Sequence, residues 1–473
     1  MSLPAKATIW FTICNFVLKG ISFITGPIFT RLLPPDEYGT LSVFLSYEQL
    51  IAIFATWSIQ LGAYQKGIFK YADDVDDFTM SAQALTNVMT ICCFAFIFPF
   101  HKLATRITGM PLTILVLLFF YLLARPAYDC WLARKRKAYD YKAGATVTLL
   151  FSIVNILLPM AAIFLIGKTA NVKFGFTLIG SAVMGLFFFI PNAYYWKIPK
   201  QWEKIKGYWK FCLVFSAPLV LHSLSFLILS QADRVMIKEM MGSSQAAFYS
   251  VAYSIASVVS LFQTSVNTTL APWRYQMLEE KKYDAISGVT TKLLIAFGAM
   301  IVMFILVVPE MMKLLFTKDY YEAVWCIPPI SAGVFFMFLY SIFVNVEEYY
   351  EQTKYVVYVS VTCGIVNIIL NYFCIGWFGY VACAYTTLFS YVLFAVGHYI
   401  FMKKTLKQAG ISENVVDGKH ILLVSTAVLG MSILVTVLYN NVLLRYGLLV
   451  GILLAAYVKR KTIMEVLSMM KRK

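Results

Sequence analysis

Between residues 8 and 32 the chain is apolar apart from Thr8, Thr12, Asn15, Lys19, Ser22, Gly26 and Thr30, which recur at steps of four and three and so share one face of a helix. Lys19 lies near the middle of that run, roughly 17 Å from either end at about 1.5 Å per residue, beyond the reach of a snorkelling lysine stem. A cation at such depth either lines a wet cavity or is held in an ion pair. Asn15, Lys19 and Ser22 are therefore candidate substrate contacts. Glu48, some nine residues into the next apolar run, sits at a comparable depth and is a possible partner for Lys19.

Other polar groups stand out by spacing. Arg125 and Asp129 are four apart on one helical face, where opposite charges partly neutralise each other, and both a structural and a substrate- or ion-handling role fit them. Ser254, Ser257 and Thr264 belong to a hydroxyl stripe that suits either cavity lining or close helix packing. Glu48, Asp129 and His222 are the candidates for ion coupling, although His222 and, more so, His398 also fit hydrogen-bonded core positions. Asn367 and Asn371, again four apart, read as bonds to neighbouring helices. Asp73, Asp74, Asp76 and Asp77 precede a helix start, where a positive helix end favours carboxylates.

The elements that must hold these groups follow from composition. Of 473 residues 60% are hydrophobic and 14% charged, which excludes an ordinary soluble domain. Runs long enough to cross a bilayer fall near 8–32, 39–64, 79–100, 112–133, 143–167, 174–196, 208–231, 245–271, 288–309, 325–346, 355–377, 380–402, 420–439 and 442–458. The first run is too long for a signal-peptide core and reads as an uncleaved span. Placing successive breaks on alternate sides puts 28 of the 40 Lys and Arg on the side of the N-terminus, 10 on the other and two, Lys19 and Arg125, inside spans. That asymmetry predicts cytoplasmic termini and makes Arg134–Lys137 an orientation anchor at anionic headgroups, not a nucleic-acid contact. Nine scattered cysteines and four histidines lack metal spacing, so neither a metal nor a cofactor is expected.

Shifting the chain by 208 residues lays 32–46 over 240–254, pairing two span exits and entries. An even offset of six spans predicts parallel repeats. The expected fold is all-α and polytopic, with about fourteen transmembrane helices: an N-terminal lobe 1–204, a C-terminal lobe 205–405, and two extra spans with a basic tail at 406–473. Every break is too short for a folded extramembrane domain, which argues against a polysaccharide polymerase or ligase with an outer catalytic loop.

Four segments, GPIFTRLLPPDEYGTLSVF (26–44), QADRVMIKEMMGSSQAAFYSVAYSIASVV (231–259), VPEMMKLLFTKDYYEAVWCIP (308–328) and GIVNIILNYFCIGWFGYVACAYTTLFSY (364–391), resemble in order and spacing the polysaccharide-exporter branch of the multidrug, oligosaccharidyl-lipid and polysaccharide exporter superfamily. The resemblance covers about 10–400. It implies a flippase, not an enzyme, in a bacterial cytoplasmic membrane. Its substrate would be an undecaprenyl-diphosphate-linked oligosaccharide for O-antigen, capsule or exopolysaccharide, with polysaccharide polymerase and chain-length machinery as partners. Related lipid-linked peptidoglycan-precursor flippases use basic residues in the first and second spans; this chain offers Lys19 in the first but Glu48 in the second, so only Lys19 carries over as a diphosphate contact. A drug or organic-cation antiporter of the same architecture is the nearest rival, and it would favour a carboxylate-dominated cavity.

Overall fold

The structure, a computed structural model, describes residues 3–194, 202–411 and 415–458. In a bilayer every backbone N–H and C=O must be satisfied within the span, and apolar runs of this length do so by coiling. The helices are α1 (Leu3–Leu32), α2 (Pro35–Thr56), α3 (Ala63–Lys70), α4 (Val75–Ile97), α5 (His101–Thr108), α6 (Leu112–Lys137), α7 (Tyr141–Leu165), α8 (Ala170–Tyr194), α9 (Trp202–Met241), α10 (Ser243–Glu279), α11 (Tyr283–Leu315), α12 (Ile327–Tyr349), α13 (Thr353–Phe378), α14 (Val381–Gln408), α15 (Gly418–Val437) and α16 (Val442–Val458). No strand occurs among the described residues. Twelve stretches there are long and apolar enough to cross a membrane, and α1, with 30 residues, and α16, with 17, complete fourteen long helices. The protein is a multi-pass membrane protein.

Two compact units divide the chain at Ala247/Phe248. In the first, α6 packs on α8, α7 on α8 and α1, and α2 on α4 and α9. The forty-residue α9 runs well past the 208–231 span, to about 60 Å at 1.5 Å per residue. The turn after it is tight: a Cβ on Gly39 would meet the Ser243 carbonyl oxygen at 1.8 Å, so only glycine admits that approach. Thr40 Oγ1 donates to Ser243 Oγ at 3.2 Å, and Ser244 Oγ donates to Asp36, the position that the 208-residue repeat matches to it. The acidic run Asp73–Asp77 does more than start α4. Asp76 pairs with Arg134 at 2.7 Å and Asp74 with Lys204 at 2.8 Å.

In the second unit α12 is the central helix, packed on α14, α11 and α15. Asn367 and Asn371 bond across to α14, Asn367 donating to Ser390 at 3.3 Å while Thr386 donates to Asn371. The turn between α15 and α16 is clamped to α11. Arg445 there meets both Glu310 oxygens, at 2.7 and 2.9 Å, and the Leu306 carbonyl at 2.6 Å.

Sequence and structure part company at three places. The run 39–64 is not one helix: it stops at Thr56, and Trp57 (φ 50°) and Ser58 (φ 49°) adopt the left-handed region before the chain turns into α3. Unbroken apolarity hid the break, because hydropathy registers lipid compatibility and not helix continuity. Arg274 and Arg445, assigned to loops, are buried at 1% and 2% exposure. Arg274 lies where α10 runs on beyond its apolar stretch, and Arg445 in the first turn of α16, and each turns its guanidinium back into protein.

Candidate functional site

The first unit holds a cavity of about 360 Å³, walled on one side by α6 and on the other by the break after α2. From α6 come Tyr121, Arg125, Asp129 and Arg136, at steps of four, four and seven, all on one helical face. Within α6, Pro126 has no N–H for the Leu122 carbonyl, and both residues line the cavity. The end of α2 supplies Thr56, the break Ser58 and Gln60, and α3 Gln65.

Arg125 Nε donates to Asp129 Oδ1 at 3.0 Å, and both side chains remain about a third exposed (31% and 35%), so the pair is open to the cavity. The rings of Phe151 and Tyr128, 4.9 and 5.2 Å from the guanidinium carbon, hold Arg125 in place. Gln60 is fixed by donating to Thr86 Oγ1 at 2.9 Å, whereas the buried Ser58 hydroxyl has no partner. Next to this cavity, a second one of about 270 Å³ shares Gln65, Ala133 and Arg136 and adds Lys137. Two guanidinium groups against one carboxylate leave the first cavity net cationic, with amide and hydroxyl groups beside them.

Glu48 faces Tyr121, Arg125 and Lys173. Lys173, assigned to a loop by sequence, lies in the first turn of α8 with its ammonium over the Phe29 ring at 4.9 Å. Two of the three ion-coupling candidates, Glu48 and Asp129, thus flank one arginine. The third, His222, is elsewhere, half-buried on α9 with its ring beside Phe226. Asn15, Lys19 and Ser22 lie on α1, and their side chains are outside the described residues, so the expected Lys19–Glu48 pair is too.

The remaining candidates are in the second unit. Ser257 and Thr264 are exposed and Ser254 half-buried; Ser257 Oγ donates to the Ser254 carbonyl at 2.6 Å and Thr264 Oγ1 to the Ser260 carbonyl at 2.8 Å. These hydroxyls thus bond back to their own helix. Sequence reasoning missed Tyr121, Gln60 and Gln65. The first was legible as another step of four before Arg125; the two glutamines were not, because only the unforeseen break turns them inward.

Helices of this number and hydropathy, with a charged cavity in the first unit, define a polytopic α-helical membrane protein. The chain belongs to the family described as polysaccharide biosynthesis protein, whose model matches residues 5–278, and a second model, MatE, matches residues 218–373. Among solved structures it resembles the lipid II flippase MurJ in an inward closed conformation, at 15% identity over 96% of this chain and 100% of that one, with a TM-score of 0.63. An inward-facing multidrug resistance MATE family transporter of the MOP superfamily matches at 13% identity over 85% of this chain and 100% of that one, with a TM-score of 0.60. At such identities the likeness is one of fold. Lsg locus protein 1 of Haemophilus influenzae is 32% identical over 72 residues, so the chain spans less than a fifth (18%) of that curated relative. Together the matches make the chain a membrane protein of the polysaccharide biosynthesis family, with a helical fold like that of the solved MurJ and MATE structures.

Proposed function

We propose that this protein moves undecaprenyl-diphosphate-linked oligosaccharide repeat units from the cytoplasmic to the outer leaflet of a bacterial inner membrane, for surface polysaccharide synthesis. Both termini are cytoplasmic in this reading. The lobes 1–204 and 205–405 alternate access, and the lipid-linked product passes to polymerase and chain-length machinery. The observation that carries the reading is the cationic excess of the first unit's cavity, Arg125 and Arg136 against Asp129. A unit negative charge about 4 Å from a guanidinium gains on the order of 4 kcal/mol at an effective dielectric of 20, against about 1 kcal/mol in water. Gln60 and Gln65 add amide donors and acceptors suited to sugar hydroxyls. The prenyl chain needs no polar path and can stay in lipid.

Lys19 is assigned to the diphosphate as well, from its depth in the first span. Lys19→Ala is expected to abolish export of the surface polysaccharide with near-normal insertion, and Lys19→Arg to retain much of it, since charge and length survive. Full export from Lys19→Ala/Glu48→Ala would remove Lys19 from the diphosphate site. The reading as a whole is tested by a deletion strain, in which lipid-linked repeat units should accumulate on the cytoplasmic side. The MatE match over 218–373 favours drug antiport as a second reading; a deletion strain with normal surface polysaccharide and raised drug sensitivity would decide for it.

A further inference from the structure

Among the buried titratable groups that transport of an anionic lipid leaves unused, the pair between α12 and α14 in the second unit is the most completely sealed. Glu347 and His398 are each 0% exposed. His398 Nδ1 stands 3.0 Å from one Glu347 oxygen and 3.1 Å from the other, so one proton lies between ring and carboxyl whichever atom holds it. The other ring nitrogen, Nε2, is buried and has no hydrogen-bond partner. The rings of Tyr340 and Phe394 lie 4.8 and 4.9 Å from the imidazole, centroid to centroid. Two further titratable groups face the pair, Tyr340 and Glu348, both from α12, and Glu348 in turn accepts from Tyr275 of α10 at 3.2 Å.

With a single proton the pair carries a net negative charge, and the charged group that faces it, Glu348, is another acid. A second proton makes it neutral, as imidazolium against carboxylate or as imidazole against carboxylic acid. In both forms that second proton is on Nε2. A sealed net charge is costlier than one buried N–H without an acceptor.

We propose that Glu347 and His398 form a proton-binding site, which holds a proton on His398 Nε2 at neutral pH and exchanges it with water through Glu348. Glu348 is exposed and adjacent in the chain, and so is the near relay. Release passes the proton from Nε2 to the Glu348 carboxylate and on to water and leaves the pair negative; the sealed packing around Nε2 must loosen for that transfer. Proton occupancy is thereby tied to the packing of the second unit, independently of what the protein transports.

The full-length protein in detergent micelles tests this without any substrate. Replacing the other three histidines (His101→Gln, His222→Gln, His420→Gln) leaves His398 as the single imidazole, and nitrogen-15 labelling reads each ring nitrogen. At about pH 8 the Glu347–His398 pair should still hold its second proton, seen as a protonated Nε2 beside a hydrogen-bonded Nδ1. A bare Nε2 at that pH would overturn the proposal. Glu348→Gln should leave occupancy unchanged and slow deprotonation after an alkaline jump several-fold; an unaltered rate would remove Glu348 as the relay. Should the triple replacement not fold, the signal lost from the parental spectrum on His398→Gln identifies the same nitrogens.

Discussion

Arg125–Asp129 in the first unit and Arg445–Glu310 in the second join the same two kinds of group at nearly the same distance, 3.0 and 2.7 Å, and yet their surroundings set them to different tasks. Arg125 is about a third exposed to a cavity and its partner is one helical turn away, so either charge can turn to a ligand while the helix stays as it is. Arg445 is 2% exposed, bonded to a carboxylate and a carbonyl of another helix, and fastens the α15–α16 turn to α11. An ion pair's role follows from which element supplies the partner and whether water reaches it, more than from the pair itself.

The first way to break this comparison should have the largest effect. Arg125→Ala is expected to reduce export at least tenfold, about 1.4 kcal/mol or more of lost interaction, with insertion near the parental level. Arg125→Lys should fall between, keeping charge and losing the flat guanidinium that packs against Phe151. Export assayed by complementation alongside the amount of folded protein separates the two roles. Were Arg125→Ala to lose folded protein, and Arg125→Ala/Asp129→Ala to restore both protein and export, the open pair would be structural and the contrast would collapse.

Arg445→Ala should do the reverse. It strips Glu310 of its guanidinium and the Leu306 carbonyl of a donor, and since Glu310 is itself 37% exposed, the expected loss is about 2 kcal/mol, below the range for fully sealed pairs. A fall in thermal midpoint, with export lowered only in proportion to folded protein, is the outcome to look for. Export lost from a well-folded Arg445→Ala would give the sealed pair a share in transport.

How much of this was legible beforehand differs between the two pairs. The long helices and the Arg125–Asp129 pair follow from hydropathy and an i,i+4 spacing, both local properties of the chain. Arg445 and Glu310 lie 135 residues apart, and local periodicity carries no information about such a contact. The same holds for Glu347 and His398, 51 apart. The cavity fell between these cases: its α6 wall is periodic, whereas its other wall depends on two consecutive left-handed residues, Trp57 and Ser58, neither of them a glycine that would have announced a turn.

Ser58 sharpens the comparison with a smaller effect. Its hydroxyl is buried without a partner, so Ser58→Ala removes an unsatisfied group and should leave thermal stability within about 0.5 kcal/mol of the parent, or raise it slightly. A distinct drop in export at unchanged stability would place that hydroxyl on the substrate. A large loss of stability would mean that the hydroxyl holds the break after α2 in place.

The smallest expected effect concerns Asp140, which caps α7 in the first unit by accepting from the Ala143 N–H at 3.3 Å. The Lys135 ammonium, 2.7 Å away, is the main cause that holds its carboxyl below the usual aspartate range, and the Ala143 bond adds to it. A carboxyl whose folded value is depressed stabilises the fold above its unfolded value, about pH 3.9, and this contribution disappears as pH falls through the folded value. Asp140→Asn keeps a capping oxygen, since Asn and Asp serve about equally at that position, and so removes the charge alone. Its thermal midpoint should sit a few degrees or less below the parental one at pH 7, and the two should converge as the pH falls below about 3.9 and through the folded value. A gap that stayed constant over this interval would assign the loss to cap geometry and remove the Lys135 pair from the account of how α6 and α7 are joined.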